Sequence, residues 1–172
     1  MTLMFGVSFA WYQYSNAESN VKGSTIKEKP TIIFSQTEYI NSSINMPIED
    51  MDRYRYANKN SFNIIYNEKL KKYEIAIDIS LVDINMSEEL KNSNYKYELV
   101  EDNKTIASGD FSSIGNSSAL TLLPTTMVIP QNYPETHEYT LYIWLSDNKT
   151  NQNNLMNKKF SAKINVNSAI KR

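Results

Sequence analysis

Three stretches of this chain alternate apolar and polar residues with a period of two. Over residues 73–82, Tyr73, Ile75, Ile77, Ile79 and Leu81 share one face, while Glu74, Ala76, Asp78 and Ser80 share the other. Residues 160–166 repeat the pattern, with Phe160, Ala162, Ile164 and Val166 set against Ser161, Lys163 and Asn165. In residues 138–145, Tyr139, Leu141, Ile143 and Leu145 face one way, and Tyr142 and Trp144 face the other. A period of two puts successive side chains on opposite faces of a strand and spreads them around a helix, so these segments are strands. The third carries large apolar residues on both faces, as a central strand does.

Other segments read as strands of lower contrast. Residues 31–34 form a short apolar run after Pro30, and residues 62–66 form another. Residues 67–72 read as the hairpin loop before the 73–82 strand. In residues 95–100, Tyr95, Tyr97 and Leu99 fall together; Asp102-Asn103 then signals a turn, with residues 104–107 as the returning arm. Gly109 reads as a bulge or bend. Residues 117–123 read as a strand ending at Pro124, and Pro130 and Pro134 bracket a loop. Residues 35–60 read as a loop with one helical turn after Pro47, where a proline followed by acids suits a helix start. A second turn is expected at residues 86–91 with Ser87 as its N-cap. Residues 146–158 are a long polar loop.

Strands separated by turn signals, with no amphipathic helix, imply an all-β fold: an antiparallel β-sandwich, jelly-roll or Ig-like, of about eight strands with little helix. Residues 30–168 are assigned to this domain and residues 169–172 to a tail. Periodicity carries no strand order.

The chain has 172 residues, 41% hydrophobic and 22% charged. A domain near that length buries roughly 70% of the surface of its unfolded chain, so it folds without staples. There is no cysteine, which excludes disulfides, thiolate metal sites and cysteine nucleophiles. The net charge is −1 and no basic patch is visible, which argues against nucleic acid as a partner. The abundance of Asn, Ile, Lys and Tyr has two open explanations: strand and turn preferences, or AT-rich codon usage. Asn-x-Ser/Thr matches at Asn41, Asn85, Asn103, Asn116 and Asn148 are expected by chance in so Asn- and Ser-rich a chain.

Residues 2–14, T-L-M-F-G-V-S-F-A-W-Y-Q-Y, are apolar and uncharged. The run is shorter than the roughly 20 residues of a membrane-spanning helix and lacks a positive n-region. Ser8 and Ala10, or Ser15 and Ala17, provide small residues at signal-peptidase spacing, and Trp11-Tyr12 suits a membrane interface. Residues 1–14 are therefore the remnant of a signal or anchor segment, or else a first strand. Residues 15–29 read as a polar linker.

No chemical motif stands out, and the expectation is no catalytic, cofactor-binding or metal residue and no enzyme activity. The single histidine, His137, is placed in a loop before the Tyr139 strand, with no G-x-S-x-G elbow to suggest a triad partner. Glu49, Asp50 and Asp52, and separately Asp147, Asn148 and Asn151, could supply oxygens to Ca²⁺, although neither group matches an EF-hand loop. Asp78 and Glu74 share a strand face, a common feature of solvated sheets as well as of carboxylate pairs. Tyr12, Tyr14, Tyr54, Tyr56, Tyr66, Tyr95, Tyr97, Tyr133, Tyr139 and Tyr142 either form a stacking surface for sugars or proteins, or fill the core.

Residues 6–12, G-V-S-F-A-W-Y, resemble the end of the export segment of small surface proteins of low-GC Gram-positive bacteria. Residues 139–147, Y-T-L-Y-I-W-L-S-D, followed by residues 159–166, K-F-S-A-K-I-N-V, resemble the closing hairpin of that group. Its plan is similar to that of TasA and camelysin-like proteins: an export segment, then a cysteine-free, jelly-roll-like domain. The resemblance covers about a fifth of the chain. The metal-associated residues of that family are assigned no counterpart here. It implies a non-enzymatic extracellular or cell-surface structural protein, a filament or biofilm-matrix subunit or accessory, with a membrane tie only through its N-terminus. It also implies self-association or protein partners through strand addition, with residues 15–34 as the donor. A glycan- or host-surface-binding module and a virus or phage structural protein remain as alternatives.

Overall fold

The computed structural model describes residues 32–35, 39–43, 46–67, 74–130, 132 and 134–171. The apolar start, the linker and most of the loop at residues 67–72 lie outside these. Nine strands are described: β1 (Ile32–Ser35), β2 (Ile40–Ser43), β3 (Asn58–Tyr66), β4 (Glu74–Met86), β5 (Tyr95–Glu101), β6 (Lys104–Asp110), β7 (Leu120–Val128), β8 (Glu135–Leu145) and β9 (Lys159–Lys171). They form two antiparallel sheets, β1-β3-β8-β5-β6 and β2-β9-β4-β7. Only one α-helical turn is described, α1 (Arg53–Tyr56), preceded by a 3₁₀ turn at Asp50–Asp52. Among the described residues no helix is long and apolar enough to cross a membrane.

The all-β sandwich is thus the fold, and the strand order distinguishes its two sequence readings. From β2 onward the chain crosses between the sheets so that β2-β9-β4-β7 faces β3-β8-β5-β6, the winding of an eight-stranded jelly roll. β1 is a ninth strand, added to the outer side of β3.

The alternating runs place the core. On β4, Ile75, Ile77, Ile79 and Leu81 are all buried, and on β9 so are Phe160, Ala162, Ile164 and Val166. Each fully buried side chain of this size is worth about 1.5–3 kcal/mol over leaving it in water. Aromatic rings fill the space between the sheets: Tyr95 stacks on Phe111 at 4.8 Å, and Phe62 on Tyr139 at 5.2 Å. β8 sits third of five strands, and both its faces are covered, as its composition predicted.

Several expectations change. The 35–60 segment contains β2, whose sequence I-N-S-S has a single apolar anchor, Ile40. The strand expected to stop at Pro124 runs on to Val128. It tolerates proline because it is an edge strand, with its register shifting opposite Ile77 and Ile79. Gly109 marks a close approach: a Cβ there would lie 2.6 Å from the Tyr97 hydroxyl. Residues 169–171 of the assigned tail are strand, since Ala169, Ile170 and Lys171 pair with Ala76, Ile75 and Glu74. Ser87 makes no side-chain cap bond in its 3₁₀ turn; its hydroxyl accepts the Lys159 N–H at 3.2 Å. The Asp102-Asn103 turn is as read, with both residues at positive φ (44° and 68°), the conformation of a two-residue hairpin turn that matches strand twist.

Candidate functional site

Strand β5 carries two shielded carboxylates on opposite faces. Tyr95, Tyr97 and Leu99 point into the core, so Glu101 follows them inward and Glu98 points outward. Glu98 is nevertheless only 3% exposed, because the segment Asp50–Tyr56 lies over it. The Arg53 guanidinium pairs with it, the Tyr54 hydroxyl donates to it at 2.8 Å, and the Thr105 hydroxyl also donates to it. Burial pushes its carboxyl up, but the bonds from Arg53, Thr105 and Tyr54 outweigh this and hold it below the usual range. Asp50 ties the same segment to the sheet by accepting from Trp144 Nε1 at 2.9 Å and Lys96 Nζ at 2.6 Å. Burial raises its carboxyl, while the Lys96 and Trp144 bonds lower it further, to about 2.

The inward carboxylate meets the histidine. His137 belongs to β8 and does not sit in a loop; its side chain is 17% exposed. Glu135, His137 and Tyr139 alternate in phase with Leu141 and Ile143, so all three face the end of the sandwich interior. His137 Nδ1 lies 2.7 Å from Glu101 Oε1, and Nε2 lies 2.9 Å from Glu135 Oε1. The Tyr139 hydroxyl donates to the same Glu101 oxygen at 2.5 Å. The Tyr66 ring packs edge-on against the imidazole at 5.1 Å. Burial pulls the imidazole down, but hydrogen bonds to Glu101 and Glu135 prevail and raise it. The sequence held the signal for this site in the shared parity of Glu135, His137 and Tyr139 on one strand, and of Leu99 and Glu101 on another. That signal is masked by the polar residues that open β8.

The remaining candidates are dispersed or absorbed into local structure. The two proposed Ca²⁺ loops lie side by side, joined by the parallel bridge Ile48↔Ser146. A cation of the chain already serves both, since Lys149 Nζ pairs with Glu49 and lies 3.2 Å from Asp147. Asp147, Asn148 and Asn151 each accept a backbone N–H two residues on, at 2.8–3.0 Å. Asp78 accepts from Asn167 at 2.9 Å on the outer face of β4, and Glu74 stands opposite Lys171. The tyrosines divide: Tyr66, Tyr95, Tyr97 and Tyr139 are core, Tyr54 and Tyr56 are exposed on α1, and Tyr142 is half-buried on the outer face of β8, where Tyr54 meets it edge-on at 5.2 Å. Tyr12, Tyr14 and Tyr133 lie outside the described residues. Among the described residues, no serine hydroxyl is bonded to His137 in the manner of a hydrolytic triad.

The sheet edges form a further feature. β1 reaches only Asn63–Tyr66 of the nine-residue β3, and β2 only Lys159–Ala162 of the thirteen-residue β9. The opposite edges are built differently: β6 pairs along β5 through a tight hairpin, and β7 carries Pro124 and a register shift. No family model matches this sequence, and no curated protein is significantly similar to it.

Proposed function

We propose that this chain is a non-enzymatic structural protein of the cell surface or extracellular matrix whose domains associate by strand addition at the β1–β3 edge. The observation that carries this reading is the position of β1, a four-residue strand outside the eight-stranded jelly roll, held by β3 alone among the described strands. Such a strand can dock on its own β3 or on that of a neighbour with the same main-chain bonds. When one subunit gives its strand to the next, the contact is head-to-tail, and head-to-tail contacts that do not close into a ring build filaments. Phe34 supplies side-chain specificity: it is buried and meets Phe62 edge-on at 5.4 Å. The uncharged apolar start and the polar stretch after it support an exported or tethered placement with reach between subunits.

Light scattering on size-exclusion fractions tests the reading. The full chain is expected to form species that grow with concentration, and a chain beginning at Gln36 to stay monomeric with unchanged far-UV circular dichroism. Monomers in both preparations would overturn it.

A further inference from the structure

We propose that the Glu101–Asp102–His137 group at the end of the sandwich is a binding site for one divalent first-row transition ion of the Zn²⁺ type. Among the described residues this is the group in which three potential ligand atoms converge, all within 4.8 Å of one another. Ligands held about 2.0–2.2 Å from one tetrahedral ion lie about 3.3–3.6 Å apart, so the widest pair of the group has to draw in by up to roughly 1.4 Å. The two-residue turn and the β5–β8 pairing place all three donors without any distant segment: Glu101 ends β5, Asp102 opens the turn, and His137 lies on the neighbouring strand.

The groups around these donors have the arrangement that metal-bound imidazoles require. His137 Nδ1 faces Glu101, and its other nitrogen meets the Glu135 carboxylate at 2.9 Å. A ligating histidine commonly donates its second N–H to such a carboxylate, which fixes the ring and raises its basicity. The Tyr139 hydroxyl orients Glu101 from behind. An independent observation comes from Tyr66. Its side chain is fully buried, and among the described residues its hydroxyl meets the Tyr139 hydroxyl in a geometry short of a well-formed hydrogen bond. The pair of hydroxyls lies within the field of Glu101 and Glu135. A water carried by an ion at Glu101 and His137 would give the Tyr66 hydroxyl a well-formed bond. One imidazole with two carboxylates suits Zn²⁺ and its neighbours; Ca²⁺ takes six to eight oxygens and gains little from a nitrogen. The competing arrangement is an imidazolium clamped between Glu101 and Glu135, which needs no ion.

The full chain offers a clean readout, since it has one histidine and no cysteine. Calorimetric titration with ZnCl₂ is expected to show one ion per chain, retained in excess Ca²⁺. Long-range ¹H–¹⁵N spectra of the single imidazole should show Nδ1 becoming metal-bound while Nε2 keeps its proton. His137→Gln should abolish binding. Asp102→Asn, which keeps a residue tolerant of the turn's positive φ, should weaken it by at least roughly tenfold with an unchanged melting temperature of the metal-free chain. If His137→Gln fails to fold, Asp102→Asn and the imidazole spectra decide the matter. The proposal is overturned by any of three results: no stoichiometric binding at millimolar Zn²⁺, binding that Asp102→Asn leaves unchanged, or an imidazole protonated on both nitrogens in excess Zn²⁺. None of these bears on strand addition, which is read from oligomer size.

Discussion

The two sides of the sandwich finish their sheets in different ways. On one side, β6 is tied to β5 by a two-residue turn, and β7 runs nine residues beside β4 with Pro124 and a register shift along it. On the other, β1 and β2 are four residues each and cover less than half of the strands they join. The first side is built from hairpin closure and guarded by a residue that cannot donate to a ladder, two usual defences against edge-to-edge pairing. The second depends on brief strands next to an N-terminal segment. The two edges of this jelly roll differ in strand length and proline placement, and the proposed strand addition uses the edge with the short strands.

That contrast predicts unequal costs for similar losses. Leu122 is a buried residue of the β7 edge, and Leu122→Ala should lower global stability by about 2–5 kcal/mol in urea unfolding. Phe34 is larger and also buried, yet Phe34→Ala should move the main transition by less than about 1 kcal/mol, because β1 opens as a local unit before the jelly roll does. Its effect should appear instead as faster amide exchange confined to β1 and its partner residues Asn63–Tyr66. Equal costs at the two edges would remove the contrast.

Acid should release the segment between β2 and β3 before it opens the sheets. Asp50 and Glu98 pin the segment between β2 and β3 onto β5 and β8, and both carboxyls are held low, Asp50 at about 2. A carboxylate with a lowered folded-state pKa stabilises fully above its ordinary value near about 4, and that contribution is lost as pH falls toward the lowered value. In a Trp11→Phe background, Trp144 fluorescence should therefore change between about pH 4 and pH 2 before far-UV circular dichroism is lost. Simultaneous loss would mean that the segment is not separately pinned. The smallest effect is expected at Pro124. Pro124→Thr should leave stability within about 0.5 kcal/mol but raise association at the β7 edge, visible as a larger sedimentation coefficient.

How much of this was legible in the sequence follows from what sets each element. The alternation in β4, β8 and β9 encodes both strand identity and inward face, because each has one face against the core. The hairpin at Asp102-Asn103 was legible because local chemistry decides a two-residue turn. β2 was not, since a single isoleucine in four residues shows no period and its pairing with β9 spans over a hundred residues of chain. Pro124 was misread because its tolerance depends on an edge position that only the sheet order defines. The Glu101–His137 meeting depends on the β5–β8 register, so sequence could give the parity of each residue but not their contact.

The proposed exchange of β1 is tested most directly by covalent capture. The chain has no cysteine, and Ile33 stands opposite Ile65 across β1 and β3. Facing Cα atoms in an antiparallel pair are about 4.5–5.5 Å apart, within disulfide range. Oxidising the Ile33→Cys, Ile65→Cys double variant over a range of concentrations should yield a ladder of disulfide-linked chains on a non-reducing gel, growing with concentration. Internally closed monomers at every concentration would show that β1 stays on its own subunit and would contradict the account.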